Sequence, residues 1–379
     1  MRTDSISIRE ASPLDSPELN RFFSSIPVQG FLDVKIHRQV DFFSLFHRLG
    51  QKFKTYVLES KNSEILGTAS FLLQHRICDQ ENLKIAFGCD LRISPQRKAI
   101  LSWGKYFLPQ IKKLSDTENT DHIITSINLT ESQVINAFIR PKITRTDRPI
   151  YELIQKYNMV TVHGFYPLQF KVNENIFVSK LQINDKERLI NYLNIKLKNL
   201  ELVNADYAAD LNEAVQKSLL YSWNQFLVAT NSVGDIVGCT HPVSSSLLQD
   251  YFPQSYNQQA HNFRQFLKVF SLFGFSRKLT KPFSRTNKEQ TLNFKMLHFL
   301  FFEHPDVLNS LIQQTYKSSK NNEFLIYAYQ PENFVYRPPR GTIHTEIPQA
   351  LYEIKHPENT QTNLKSKIHK FIFLDGFWF

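Results

Sequence analysis

Hydrophobic and polar positions alternate through Ser5-Ile6-Ser7-Ile8-Arg9-Glu10-Ala11, which predicts a strand. Ser12-Pro13-Leu14-Asp15-Ser16-Pro17-Glu18 then supplies cap-type residues and a helix-starting proline ahead of Leu19 and Phe22-Phe23. Between Gly30 and Phe53 the apolar positions Phe31, Val34, Val40, Phe42-Phe43, Leu45-Phe46 and Leu49 predict a mostly helical stretch, broken near Gly30 and closed at Gly50. Tyr56–Glu59 and Ile65–Leu73, joined by the polar turn Ser60–Glu64, read as a hairpin, and the strand of Leu83, Ile85 and Phe87 makes three consecutive antiparallel strands. A helix over 100–113, a strand over Ile123–Ile127, a short helix over Glu131–Ile139 and strands at Met159–His163 and Leu168–Val172 complete the first half.

The second half repeats this order. Phe226–Ala229, a turn at Asn231–Asp235 and Ile236–Thr240 reproduce the hairpin, with Gly238 lying 171 residues after Gly67. Leu292–Phe302 corresponds to the strand at Leu83, and Glu323–Tyr329 to the strand at Ile123. Thr342-Ile343-His344, with Pro348, matches Thr161-Val162-His163, with Pro167, at an offset of 181. An internal duplication follows, dividing the chain into residues 1–172 and 173–379. The second part carries an aromatic and basic insertion around 244–290, with Arg264, Lys268, Arg277, Lys278, Lys281, Arg285 and Lys288.

At 379 residues the chain suits two cores better than one. The formal charge of +10 is spread evenly, without a basic tail or block, so it favours anionic ligands in general and nucleic acid only weakly. Cys78, Cys89 and Cys239 lack metal-ligand spacing and read as small apolar fillers in a reducing compartment; no metal site is expected. The polar N-terminus and the absence of a long apolar run make a cytoplasmic protein without a membrane span the default.

The candidate chemistry lies where the strand at Leu83 ends in Cys89-Asp90-Leu91-Arg92-Ile93-Ser94-Pro95-Gln96-Arg97-Lys98 and opens into a helix. A basic loop running into a helix can hold phosphate against free backbone N–H groups. An ordinary solvated loop capping a helix has the same composition.

The order strand, helix, hairpin, long strand, basic turn and helix resembles the GNAT superfamily of acyl-CoA-dependent N-acyltransferases. Ile8-Arg9-Glu10-Ala11 with Asp15 resembles the start of that family, Ile65-Leu66-Gly67 its third strand, and Asp90-Leu91-Arg92-Ile93-Ser94-Pro95 the end of its fourth. The resemblance covers most of residues 5–170, and the second half at the level of strand order. It implies an α+β protein of two tandem GNAT-like domains, each a mixed, mostly antiparallel sheet flanked by helices, the second copy degenerate. It implies acetyl-CoA or another acyl-CoA as co-substrate and a primary amine as acceptor. The residues it assigns to the cofactor are Leu91, Arg92, Ile93, Arg97, Lys98, Ala99, Ser102 and Asn128.

Two departures stand out. The family's Arg/Gln-x-x-Gly-x-Gly/Ala pattern is replaced by Arg97-Lys98-Ala99-Ile100-Leu101-Ser102-Trp103-Gly104, placing Ile100 and Leu101 where phosphate oxygens would approach. The family's tyrosine donor to the leaving thiolate has no counterpart, since residues 131–138 offer Phe138. Asp90 is the candidate base or contact for the acceptor's ammonium group, and a salt bridge to Arg92 or a neighbouring strand is its other use. The corresponding second-half turn, Glu303-His304-Pro305-Asp306, is acidic and unsuited to pyrophosphate. Two further functions stay open: a binding or regulatory module without catalysis, and a tandem transferase whose donor is carried by tRNA, for which the insertion is the support.

Overall fold

The computed structural model describes residues 6–131, 135–139, 148–284, 289–357 and 363–374. The opening alternation forms β1 (Ser7–Glu10), antiparallel to β3 (Lys52–Glu59). Asp15 closes a capping box with Ser12 and also accepts two bonds from Arg9 at 2.7 and 2.8 Å, fixing the entry to helix α1 (Ser16–Ser25). The stretch expected to be helical from Gly30 instead forms β2 (Leu32–His37) and only then the short helix α2 (Ser44–Leu49). β2 is a strand because it finds a partner, β12 (Asp250–Tyr256) from the insertion, 213 residues away at the His37↔Asp250 end. The helix does end at Gly50, in the left-handed conformation at φ 64.

β4 (Ile65–Cys78), β5 (Glu81–Ile93), helix α3 (Arg97–Glu118), β6 (His122–Asn128) and β7 (Ile150–Phe165) follow. Residues 168–172 lie in a turn and coil, where a strand was expected. Only Ile135–Ile139 of the short helix is described, as one wide turn, and the Phe138 side chain lies outside the description.

The second half has β8 (Phe177–Lys180), α4 (Lys186–Leu197), β9 (Val203–Asn204), α5 (Ala205–Lys217), β10 (Leu227–Thr230) and β11 (Ile236–Ser244). After β12 come α6 (Gln258–Leu272), β13 (Asn293–Phe302), α7 (Pro305–Ser318), β14 (Glu323–Tyr329) and β15 (Thr342–Lys355).

Among the described residues one sheet joins both halves in the order β1-β3-β4-β5-β6-β15-β7-β14-β13-β11-β10-β8. The final strands are exchanged: β15 lies against β6 and β7 against β14, so each half completes the other. Two close helix–sheet contacts repeat. A Cβ on Gly67 would stand 2.9 Å from the Trp103 ring of α3, and one on Gly238 2.6 Å from Val307 of α7, so bare backbone lets each helix descend onto its strand.

A bulge repeats as well. Between Thr68↔Arg92 and Ser70↔Cys89 the register of β4 and β5 shifts, and Asp90 takes φ 57. Between Cys239↔Phe301 and His241↔His298 the register of β11 and β13 shifts, and Phe299 takes φ 48. A left-handed non-glycine residue is unusual enough that its occurrence at the same place in both halves supports a common origin.

Candidate functional site

Parallel strands β5 and β6 pair from Ile85↔His122 to Gly88↔Thr125 and no further, although β5 runs on to Ile93 and β6 to Asn128. The strands therefore splay beyond Gly88, where the Asp90 bulge turns β5 away. The splay opens into a cavity of about 470 Å³ whose wall includes Gly88, Cys89, Asp90, Leu91, Arg92 and Asn128.

Asp90 faces this cavity, but its carboxylate is held by Arg38, whose Nη2 donates to both oxygens at 2.7 Å. Arg38 is itself wedged between Phe42 and Phe46, and its Nη1 donates to the Phe42 carbonyl at 2.8 Å. The partner of Asp90 is thus neither Arg92 nor an adjacent strand. Arg92 lies over the Phe23 ring at 4.6 Å, and burial lowers the pKa of its guanidinium. Burial also drives the Cys89 thiol well up, leaving it unreactive.

Glu131, which sequence reasoning treated only as a helix start, joins the cavity wall. Burial raises its carboxyl, with Arg92 pulling the other way, so a partly dehydrated acid stands beside the splay. Its signal in the sequence was confined to its place directly after the strand-ending turn. Asn128 accepts from the Thr130 amide at 2.9 Å and from its hydroxyl at 2.8 Å, closing that turn.

The mouth of α3 lies just beyond β5. Its N-cap Gln96 provides no side-chain cap, and Arg97 and Lys98 are exposed there. The Ala99 and Ile100 N–H groups donate to the Gln96 carbonyl at 2.9 and 3.2 Å, which leaves the Arg97 and Lys98 amides, with their two cations, at this end of the helix. Ile100 and Leu101 are 54% and 56% exposed, so neither plugs the opening. Ala99 is fully buried under the helix beside Trp103, Ser102 is half-buried, and Ile93 packs against the same α3-side core. The predicted residues therefore fall into two groups: Arg97 and Lys98 at the mouth, and Asp90, Leu91, Arg92 and Asn128 at the splay.

The second half differs at the same place. Tyr336 donates from its hydroxyl to the Leu300 carbonyl at 3.2 Å, and its ring lies 4.3 Å from that of Phe302, beside the end of β13. Asp306 sits in the first turn of α7, and Glu303 is paired with Lys196 at 2.9 Å.

His163 lies on β7 and His344 on β15, the final strands of the two halves. Strands β7 and β15 pair antiparallel with Val162 opposite His344, so the two histidines are neighbours on adjacent strands. In the insertion, Arg277 is spent internally, donating to the Glu323, Tyr316 and Ser319 carbonyls. Lys268, Lys278 and Lys281 are exposed, while Arg285 and Lys288 lie outside the described residues. Among the described residues no helix is long and apolar enough to cross a membrane.

No protein-family model matches the sequence, and no curated protein matches it. Solved structures do. A GCN5-related N-acetyltransferase from Sphaerobacter thermophilus is similar at a TM-score of 0.52 and 10% identity, over 92% of this chain and 95% of that one. The N-myristoyltransferase of Saccharomyces cerevisiae, solved with bound myristoyl-CoA, is similar at 0.54 and 10% identity, over 97% of this chain and 89% of that one. The chain carries the GCN5-related N-acetyltransferase fold in a tandem arrangement.

Proposed function

We propose that the protein is an acyl-CoA-dependent N-acyltransferase acting on an amine, with acetyl the smallest acyl group to test. Residues 1–172 carry the CoA-facing site, and residues 173–379 form a degenerate copy that supplies the far wall of the cavity. The observation that carries this reading is the cavity at the splay beside a basic helix mouth in the first half; β13 and β14 part in the same way after Met296↔Ile326, but there Tyr336 lies beside β13 and the helix mouth is acidic.

In this reading Arg97, Lys98 and the first amides of α3 hold the pyrophosphate, with Ser102 beside them and Ala99 keeping the turn close to the sheet. The arm of the co-substrate enters between β5 and β6, along Leu91, Arg92 and Ile93, with Asn128 on the facing strand. Free backbone N–H groups of the splayed strand polarise the thioester carbonyl. Glu131, its carboxyl raised by burial, accepts the ammonium proton of the acceptor, directly or through water. Asp90, fixed by Arg38, contributes negative charge toward that ammonium and shapes the bulge. The amine nitrogen bonds to the acyl carbon, the carbon–sulfur bond breaks, and the proton the nitrogen then sheds passes to the leaving thiolate, so coenzyme A departs as the thiol.

Release of thiol from acyl-CoA thioesters in the presence of an amine panel tests this reading. Turnover that falls at least about tenfold in Glu131→Gln, with CoA affinity retained, supports it. CoA binding without turnover on any amine favours the binding-module reading.

A further inference from the structure

The cavity does not stop at the splay. Its floor continues across one face of the sheet, through Asn128 of β6, Ile347 of β15, Met159 of β7, Ile326 of β14 and Met296 of β13. In the sheet order β6-β15-β7-β14-β13 that path crosses four strand spacings, on the order of 19 Å at about 4.8 Å each. Spread over that length, about 470 Å³ leaves room for one slender occupant. An acetyl group would fill a small part of it.

Most polar groups of the wall are already satisfied by the protein. Asp90 is held by Arg38, Ser126 shares a hydrogen bond with Tyr157, Thr161 with Thr345, and Gln249 donates to Tyr251. The strand backbones of the floor are engaged in the sheet. A peptide laid along this trough would bring amides that need partners the wall does not offer, at a cost an alkyl chain avoids. Arg92, Asn128 and Glu131 gather at the splay end, and away from it the lining is mostly apolar, with Phe294 and Phe324 beside the methionines. At the far end His163 is 4% exposed, and its Nδ1 has no hydrogen-bond partner among the described residues.

We propose that this trough takes a long unbranched aliphatic chain belonging to one of the two substrates, donor or acceptor, a deeper reading of the site that rests on the acyl transfer proposed above. Roof and floor come from both halves, since Val34 and Ile36 of β2 face the cavity together with Tyr251 of β12. That assigns the exchanged strands and the insertion a common purpose, which is to enclose the chain.

Calorimetry with CoA, acetyl-CoA and lauroyl-CoA, and with laurate and dodecylamine in the absence of CoA, tests the proposal. Lauroyl-CoA binding at least about tenfold more tightly than acetyl-CoA places the chain on the donor; dodecylamine binding that tightens with acetyl-CoA places it on the acceptor. Met296→Trp and Ile326→Trp put an indole into the trough and should abolish the chain-length gain while leaving CoA affinity within about twofold. If neither series depends on chain length, or if the gain persists in both folded variants, the proposal is wrong. Should the variants fail to fold, the chain-length series on the parent protein decides alone. A gain with laurate or dodecylamine but no affinity for CoA would leave the trough standing and overturn the acyl-transfer reading, while CoA binding with no gain would do the reverse.

Discussion

Arg38 and Asp90 form a buried ion pair, Nη2 of the arginine donating to both carboxylate oxygens at 2.7 Å, with side chains only 1% and 9% exposed. Arg38 follows β2 and Asp90 sits on the β5 bulge, so the pair ties the ribbon over the cavity to the splay beneath it. Removing one member leaves the other charged and dry. Arg38→Met should therefore cost about 3–5 kcal/mol, and the double variant Arg38→Met with Asp90→Leu should recover a large part of that. Urea unfolding measures both; a loss under about 1 kcal/mol in Arg38→Met would mean that the pair does not hold the bulge.

Gly67 and Trp103 give a second test. An alanine methyl at 67 would meet the indole at 2.9 Å, and one at 238 would meet Val307 at 2.6 Å and the Phe301 carbonyl at 3.0 Å. Each substitution forces a helix off its sheet, so thermal unfolding should show losses of about 1–3 kcal/mol, larger at 238 where backbone is also in the way. Unchanged stability in both would contradict the close packing of α3 and α7.

Burial holds the His163 imidazole neutral, pushed from 6.5 down to about 3, and the nearby His344 adds to the effect. Because the unfolded chain binds this proton more readily than the folded one, stability is retained above pH 6.5 and falls as pH drops toward 3. The slope from this group is at most about 1.4 kcal/mol per pH unit. His163→Gln removes it, so the stability difference between parent and variant should change with pH across that window and be flat above it. A difference independent of pH would place His163 in contact with water.

Much of the fold was written locally. The hairpin at 56–73, the strands at Ile123 and Glu323 and the stop at Gly50 are set by alternation and turn residues, and each forms where those signals lie. The 30–37 segment was misread because its strand character depends on β12, far away in the chain. The exchange of β7 and β15 was hidden for the same reason: periodicity says that a strand exists, and only long-range register says which neighbour it takes. At the site, the basic mouth at Arg97-Lys98 and Asp90 as a candidate carboxylate were visible as composition, whereas the bulge that carries Asp90 was not. Arg38 and Glu131 were not, since their meaning comes from burial beside a cavity that two halves build together.

Isothermal titration of coenzyme A into the protein tests the central claim, that the first half alone keeps an open diphosphate mouth. The account predicts a single site per chain, weakened at least about tenfold in Arg97→Ala with Lys98→Ala and unaffected by Tyr336→Phe in the second half. Two sites per chain, or an affinity indifferent to the loss of Arg97 and Lys98, would contradict it.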